Sequence, residues 1–290
     1  MISPLIALAR GLRPKQWLKN VLVATGPLAA GLLLDSNIWP RVLIAFALFC
    51  AAASGVYLVN DALDRNEDRL HPRKRLRPIA SGALPLPLAI SAAIVLLLGA
   101  PISAAFVSWE LAVVLAIYEI VQIAYCLWLK HLVVIDLVVV SSGFVMRALA
   151  GAVVAEIALS QWFLLVMSFG SLFMVAGKRF SEKVQVDQSG GATRRTLDEY
   201  SLGYLRFVWS LAAGVALVAY SLWAFELGAT VEFPWAAISI VPFGAALLRY
   251  GFIVEAGHAG APEETVLRDR QLAPLAVIWL ALFVVVAATR

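Results

Sequence analysis

Nine stretches of this chain are apolar for long enough to cross a lipid bilayer, and that limits its fold more than any other feature. They lie near residues 21–38, 40–60, 86–106, 109–128, 132–155, 160–177, 206–226, 232–250 and 271–289; a spanning helix needs about 20 such residues. In hydrocarbon every backbone N–H and C=O must be satisfied within the protein, which for runs of this length means α-helix. The expected fold is therefore all-α: a polytopic bundle of nine transmembrane helices, one domain over residues 1–290. Composition agrees, with 62% of residues hydrophobic and 14% charged, where a soluble domain is about half apolar and about a quarter charged. Gly26 and Pro27 interrupt the first stretch, and Pro101, Pro242 and Pro274 blur other boundaries.

Charge sets an expected orientation. Arg10, Arg13, Lys15 and Lys19 precede the first stretch; Arg65, Arg69, Arg73, Lys74, Arg75 and Arg77 follow the second. Lys178, Arg179, Lys183, Arg194 and Arg195 follow the sixth, and Arg268 and Arg270 precede the ninth. With nine spans all these segments share one side, which the positive-inside rule makes cytoplasmic. The N-terminus is then inside and the C-terminus outside a plasma membrane. The pI of 9.2 is accounted for by this asymmetry and calls for no nucleic-acid partner. Cys50 and Cys126 sit in apolar runs and are read as packing residues. Trp17, Trp39, Trp109, Trp128 and Trp209 lie near span ends and are read as interfacial anchors.

Chemistry concentrates in two connections, residues 61–85 and 178–205. The first begins Asn60, Asp61, Asp64, Asp68, an N-D-x-x-D-x-x-x-D run. On a helix the spacings of three and seven put the carboxylates on one face, where like charges repel and a cation relieves them. Oxygen-only donors suit Mg²⁺, which commonly takes one or two carboxylates and leaves its other positions to water and substrate phosphates. Arg73, Lys74, Arg75 and Arg77 follow, and arginine matches phosphate bidentately; topology alone or anionic lipid would also explain them. In the second connection Lys178 and Arg179 stand four and three residues before Glu182, a spacing for ion pairs on one helix face. Asp187 lies further on. Glu119, Asp136 and Arg147 fall inside apolar runs, where a lipid-facing charge is costly; Arg147 is expected to pair with an acidic neighbour.

These segments resemble the UbiA superfamily of intramembrane prenyltransferases. The resemblance covers essentially all nine spans and rests first on NDALDRNED, residues 60–68. It is strengthened by RPKQWLKN (13–20), YLVNDALDRNEDRLHPRKRLRPIASG (57–82), the Tyr125–Lys130–Asp136 region, GFVMRALAG (143–151) and GKRFSEK (177–183), which are similar to its phosphoribosyl-transferring branch. The resemblance implies a nine-helix UbiA-like bundle in the plasma membrane and Mg²⁺ on Asn60, Asp61, Asp64 and Asp68. It implies phosphoribosyl diphosphate as donor and decaprenyl phosphate as acceptor, in the supply of arabinan precursors for the cell wall. Asp61, Asp64, Lys178 and Arg179 are then the catalytic candidates. Lys19, Asn60, Arg73, Lys74, Arg75, Arg77, Tyr125, Lys130, Asp136, Arg147, Glu182 and Asp187 are the substrate-binding ones, with Asp68 expected to act partly through water. A homo-oligomer is left open.

One departure shapes the expectation. Ordinary members carry a second aspartate-rich motif after the sixth helix, where this chain has Lys178, Arg179 and Glu182. That replaces a second metal cluster with a phosphate contact. The alternatives are a UbiA-type enzyme that moves a prenyl group onto an aromatic acceptor, and a lipid-binding protein or transporter.

Overall fold

A computed structural model describes residues 3–32, 35–72, 74–189, 195–228 and 234–288, and among them every regular element is helical. In chain order these are α1 (Pro4–Gly11), a 3₁₀ segment (Pro14–Ala24), α2 (Thr25–Ala29), α3 (Trp39–Leu63), α4 (Arg65–Leu70), a 3₁₀ turn (Lys74–Leu76), α5 (Leu86–Ala105), α6 (Trp109–Leu127), a 3₁₀ turn (Leu129–His131), α7 (Ile135–Val154), α8 (Gln161–Ser189), α9 (Arg195–Glu199), α10 (Leu202–Gly228), α11 (Trp235–Glu255), α12 (Pro262–Arg268) and α13 (Leu272–Ala288). Of the described helices, seven are long and apolar enough to cross a membrane: α3, α5, α6, α7, α8, α10 and α11. The apolar run of α13 is shorter.

The sequence explains most of these limits. Pro40 lies in the first turn of α3, where its missing N–H costs no hydrogen bond. Ser108 accepts the Leu111 N–H at 3.1 Å and caps α6. Pro101 and Pro242 stay inside α5 and α11 without ending them. The first expected span is different: residues 14–24 wind as a 3₁₀ helix and only Thr25–Ala29 as α-helix. The expected connection 178–205 also begins later, because α8 continues to Ser189. Ion pairs Lys178–Glu182 and Lys183–Asp187, both four residues apart, carry the helix beyond its apolar part.

The chain divides into two compact units, Met1–Pro27 with Leu33–Lys130 and Met146–Ile157, and Leu28–Leu32 with His131–Val145 and Ala158–Arg290. In the first unit α3, α5 and α6 pack around Phe49, Ala52, Val56, Ala100, Ala104, Leu111 and Leu115. Hydrocarbon offers little drive for apolar helices to associate, so close approach through small residues takes over. Gly55 shows this: a Cβ there would meet Leu97 Cγ at 2.8 Å. A smaller cluster of Ala7, Leu58, Ile79, Leu84, Ala89 and Ala93 seats α1 and the segment before α5. In the second unit α8, α10 and α11 enclose Phe173, Phe180, Leu205, Ala212, Tyr250 and Val254. There a Cβ on Gly177 would come within 2.8 Å of Val254 Cγ2. Val95, Leu98 and Ile102 of α5 and Val241, Leu248 and Phe252 of α11 are exposed, a composition suited to lipid contact.

Gly151 makes the tightest approach. A Cβ there would run into the carbonyl oxygen of Val23, a backbone atom held in the 3₁₀ segment. Gly151→Ala is therefore expected to destabilise the first unit by about 1–3 kcal/mol, the usual cost of overpacking. A thermal melt of the detergent-solubilised variant against wild type checks it.

Candidate active site

The acidic run straddles a hinge. Asp61 is in the last turn of α3, Asp64 joins α3 to α4, and Asp68 is in α4. Helical spacing persists through the joint: Asp64 N–H donates to Asn60 C=O at 2.9 Å and Asp68 N–H to Asp64 C=O at 2.8 Å. Asp61 and Asp68 are each only 2% exposed. Their carboxylates meet at one atom, since Arg77 Nη1 lies 3.0 Å from Asp61 Oδ1 and 2.7 Å from Asp68 Oδ2. Arg13 Nη2 lies 2.5 Å from the same Asp61 oxygen. Asp64 turns elsewhere, with Oδ1 2.5 Å from Lys130 Nζ and Oδ2 accepting from Asn60 Nδ2 at 3.1 Å.

Among the described residues no three Asp, Glu, His or Cys side chains form a ready-made metal cage. The donor chemistry nevertheless fits Mg²⁺, which needs only one or two protein carboxylates beside phosphate and water. Asp61 and Asp68 already aim oxygens at a single cationic nitrogen.

Arg13 is positioned by strain and by a local network. Its backbone is left-handed (φ 53°, ψ 59°), unusual for a non-glycine residue, and Pro14 follows it. Ser54 on α3 ties this bend down: its hydroxyl accepts from Trp17 Nε1 at 3.0 Å and lies 3.0 Å from the Leu12 carbonyl. Further along, Asn20 Nδ2 donates to Cys50 Sγ at 3.1 Å. Asn20 Oδ1 accepts from Arg147 Nε at 2.7 Å. The Arg147 guanidinium is buried over the rings of Phe49 and Tyr118, and Nη2 donates to the Tyr118 hydroxyl at 3.2 Å. These contacts give Arg147 an amide oxygen, a phenol and two aromatic faces as neutral partners. Glu119 is buried as well, and its Oε1 has no hydrogen-bond partner among the described residues.

On the other side of the acidic run, Gly82 (φ 81°) makes the turn before α5, a conformation glycine adopts without penalty. Arg69 Nε donates to the Ala80 carbonyl at 3.0 Å, steadying the segment that carries Arg77. Lys74, Lys19 and Tyr125 are half-buried and Arg75 is exposed; Arg73 lies outside the described residues.

In the second unit, the local spacing read from sequence is realised. Glu182 sits 3.8 Å from Lys178 and 3.0 Å from Arg179. Arg179 Nε also lies 3.5 Å from Asp136 Oδ2. Asp136 Oδ1 accepts a hydrogen bond from the Tyr200 hydroxyl at 2.5 Å, and that hydroxyl accepts the Val134 N–H at 2.7 Å. Val134 has φ 71°, a costly conformation for a β-branched side chain. Burial, then the hydrogen bond to Asp136, push the Tyr200 phenol well above its usual pKa, so it stays a proton donor. Asp187 is engaged by Lys183 at 3.6 Å.

A family model described as the UbiA prenyltransferase family matches residues 22–266. The chain belongs to the UbiA prenyltransferase family. Among curated relatives, the decaprenyl-phosphate phosphoribosyltransferase of Mycolicibacterium smegmatis is 46% identical over 285 residues, covering 94% of this chain and 90% of that protein. The enzyme of the same name from Mycobacterium tuberculosis is 48% identical over 276 residues, covering 94% and 91%. Among solved structures, a UbiA homolog from Archaeoglobus fulgidus bound to DMAPP and Mg²⁺ superposes with a TM-score of 0.72 at 17% identity, covering 97% of each chain. That likeness carries the fold. Together with the seven apolar helices, membership makes this a multi-pass membrane protein.

Two residues of these networks, one in each unit, escaped the sequence reading. Arg13 looked like a topogenic charge, and Tyr200 carried no spacing signal because its partner Asp136 is 64 residues away. Tyr200→Phe keeps the ring but leaves the buried Asp136 carboxylate and the Val134 N–H short of a partner. The expected loss is about 1–3 kcal/mol, read as a lower melting temperature, with Tyr204→Phe as control.

Proposed function

We propose that this chain transfers 5-phosphoribose from phosphoribosyl diphosphate to decaprenyl phosphate, giving decaprenylphosphoryl-5-phosphoribose and diphosphate. The observation that carries the reading is near-half identity, across more than nine-tenths of the chain, to curated decaprenyl-phosphate phosphoribosyltransferases. The protein is a membrane-embedded transferase acting on a prenyl-phosphate lipid.

Mg²⁺ is the proposed metal, supported by the oxygen-only donors Asn60, Asp61, Asp64 and Asp68 and by the Mg²⁺ in the Archaeoglobus fulgidus structure. When bound it supplies positive charge against the departing diphosphate. The chain's own cations do the rest of the anion binding. Lys130, held on Asp64, and the Arg73, Lys74, Arg75 and Arg77 run supply phosphate contacts on the donor side, with Lys19. Lys178 and Arg179 hold a separate phosphate, either the donor 5-phosphate or the lipid phosphate; Asp136 and Glu182 fix the direction of the guanidinium. Tyr125, Arg147 and Asp187 complete the proposed substrate-binding set. Positive charge develops at ribose C1 as the diphosphate leaves. The lipid phosphate oxygen is already anionic and attacks without a strong general base, so no Ser, Cys or His nucleophile is required. A single displacement inverts C1.

The proposed topology is one UbiA-like domain over residues 1–290, with nine spans, the N-terminus and the charged connections cytoplasmic, and the C-terminus outside. The purified chain, given Mg²⁺, decaprenyl phosphate and labelled phosphoribosyl diphosphate, is expected to form labelled lipid in detergent without a transmembrane gradient. No labelled lipid, with product formed instead from a prenyl diphosphate and an aromatic acid, would return the chain to generic prenyl transfer.

A further inference from the structure

The carboxylates proposed to hold metal already carry the protein's own cations. One oxygen, Asp61 Oδ1, accepts Arg13 at 2.5 Å and Arg77 at 3.0 Å, and Arg77 Nη1 simultaneously takes Asp68 at 2.7 Å. A cation approaching that oxygen meets two guanidinium groups, so at least one has to leave. Neither is locked in: the Arg13 and Arg77 side chains keep 25% and 22% of their surface exposed, against 3% for each aspartate. Arg13 also lies over the Tyr57 ring, 5.0 Å from its centroid, a second favourable place for its charge. Its left-handed backbone beside Pro14 holds the stem at this spot whether or not the ion pair persists.

We infer that Arg13 and Arg77 are exchangeable counter-cations: they neutralise Asp61 and Asp68 in the resting protein, and metal–diphosphate loading transfers them from carboxylate to phosphate oxygens. Guanidinium matches both anions with the same planar fork, so the exchange is chemically even. The inference rests on the proposed metal–diphosphate role of Asp61 and adds a coupling to it. Metal alone has to evict an arginine with no anion to receive it. Metal with diphosphate supplies that anion, so each ligand strengthens the binding of the other, and the linkage is reciprocal.

The test uses the full-length protein in detergent, with Mn²⁺ as a spin probe and inorganic pyrophosphate as the diphosphate. In wild type, pyrophosphate is expected to tighten Mn²⁺ binding. Arg13→Gln removes one competitor and should tighten Mn²⁺ alone, by roughly fivefold for a part-exposed ion pair, while weakening pyrophosphate binding in the presence of Mn²⁺ by about tenfold. A merely structural Arg13 would weaken both. Arg77→Gln frees Asp68 and takes one of the two guanidinium groups off Asp61, and should tighten Mn²⁺ alone at least as much; it decides the matter should Arg13→Gln fail to fold, which a melting curve reports. Unchanged or weaker binding of Mn²⁺ alone in the folded variants overturns the exchange. Asp61→Asn separates the two levels. If it abolishes Mn²⁺ binding while the arginine variants show no tightening, only the exchange falls. If it leaves Mn²⁺ binding intact, the metal role of Asp61 falls and the exchange with it.

Discussion

Asp61→Asn is expected to cut transfer by roughly two to three powers of ten, taking metal-assisted stabilisation as several kcal/mol and each tenfold as about 1.4 kcal/mol. The amide keeps the volume and one acceptor oxygen but removes the charge that Arg13 and Arg77 share. Asp64→Asn should fall comparably, because Asp64 positions Lys130 as well as being a proposed metal donor. Asp68 was expected to act partly through water, yet it is as buried as Asp61 and meets the same Arg77 nitrogen. The geometry therefore ranks Asp68→Asn with Asp61→Asn. Labelled-lipid formation across a Mg²⁺ titration, normalised to the amount of inserted protein, measures all three. Wild-type Mg²⁺-dependent turnover in both Asp61→Asn and Asp64→Asn would remove the acidic run from the reaction.

What could be read from sequence was what depends on local spacing. The apolar runs gave helices because backbone satisfaction in hydrocarbon leaves little choice. Residues three and four apart on a helix are neighbours whatever the tertiary structure, so the link of Glu182 to Lys178 and Arg179 appeared where spacing put it. The fold class and the acidic run were legible for the same reason. The first span was not, because Gly26 and Pro27 follow a 3₁₀ stretch, and the choice between 3₁₀ and α is made by packing. Gly151 accepts the Val23 carbonyl only because it lacks a Cβ.

Contacts between distant residues were invisible for a complementary reason. Arg13 reaches Asp61 across 48 residues by way of a left-handed bend that no propensity favours before proline. Tyr200 reaches Asp136 across 64 residues and stabilises an equally disfavoured Val134. The tryptophans divide along the same line. Trp39, Trp109 and Trp128 are exposed at span ends, as interfacial anchors should be. Trp17 instead donates to Ser54, and Trp209 packs against Phe173 and Phe180. Proximity to a span end is a one-dimensional cue, whereas the direction of an indole depends on its neighbours. Cys50 is buried as expected, but it also accepts a hydrogen bond from Asn20.

Lys178→Ala/Arg179→Ala is the substitution proposed to separate phosphoribosyl transfer from generic prenyl transfer, since the family resemblance implies a second acidic motif where this chain carries the pair. The two cations are not equivalent. Arg179 is held by Asp136 and Glu182 with 13% of its side chain exposed, while Lys178 keeps 40% exposed and only a loose 3.8 Å contact to Glu182. Each charge-assisted phosphate contact is worth about 1.5–3 kcal/mol, so either single variant should lose about tenfold to a hundredfold in kcat/KM if the contact persists in the transition state. Arg179→Ala should be the worse, because it also leaves the buried Asp136 with the Tyr200 hydroxyl in place of a cation. Lys178→Arg should recover only part of the activity, since a planar fork does not reproduce an ammonium position. Glu182→Ala should cost less than either if Glu182 only orients the basic pair. A selective rise in KM for one substrate identifies whose phosphate is held; an equal fall in kcat for both points to a contact made at the transition state. Near-wild-type kcat/KM for both substrates in a folded, membrane-inserted double variant would reduce Lys178 and Arg179 to topogenic charges and reopen prenyl transfer to an aromatic acceptor.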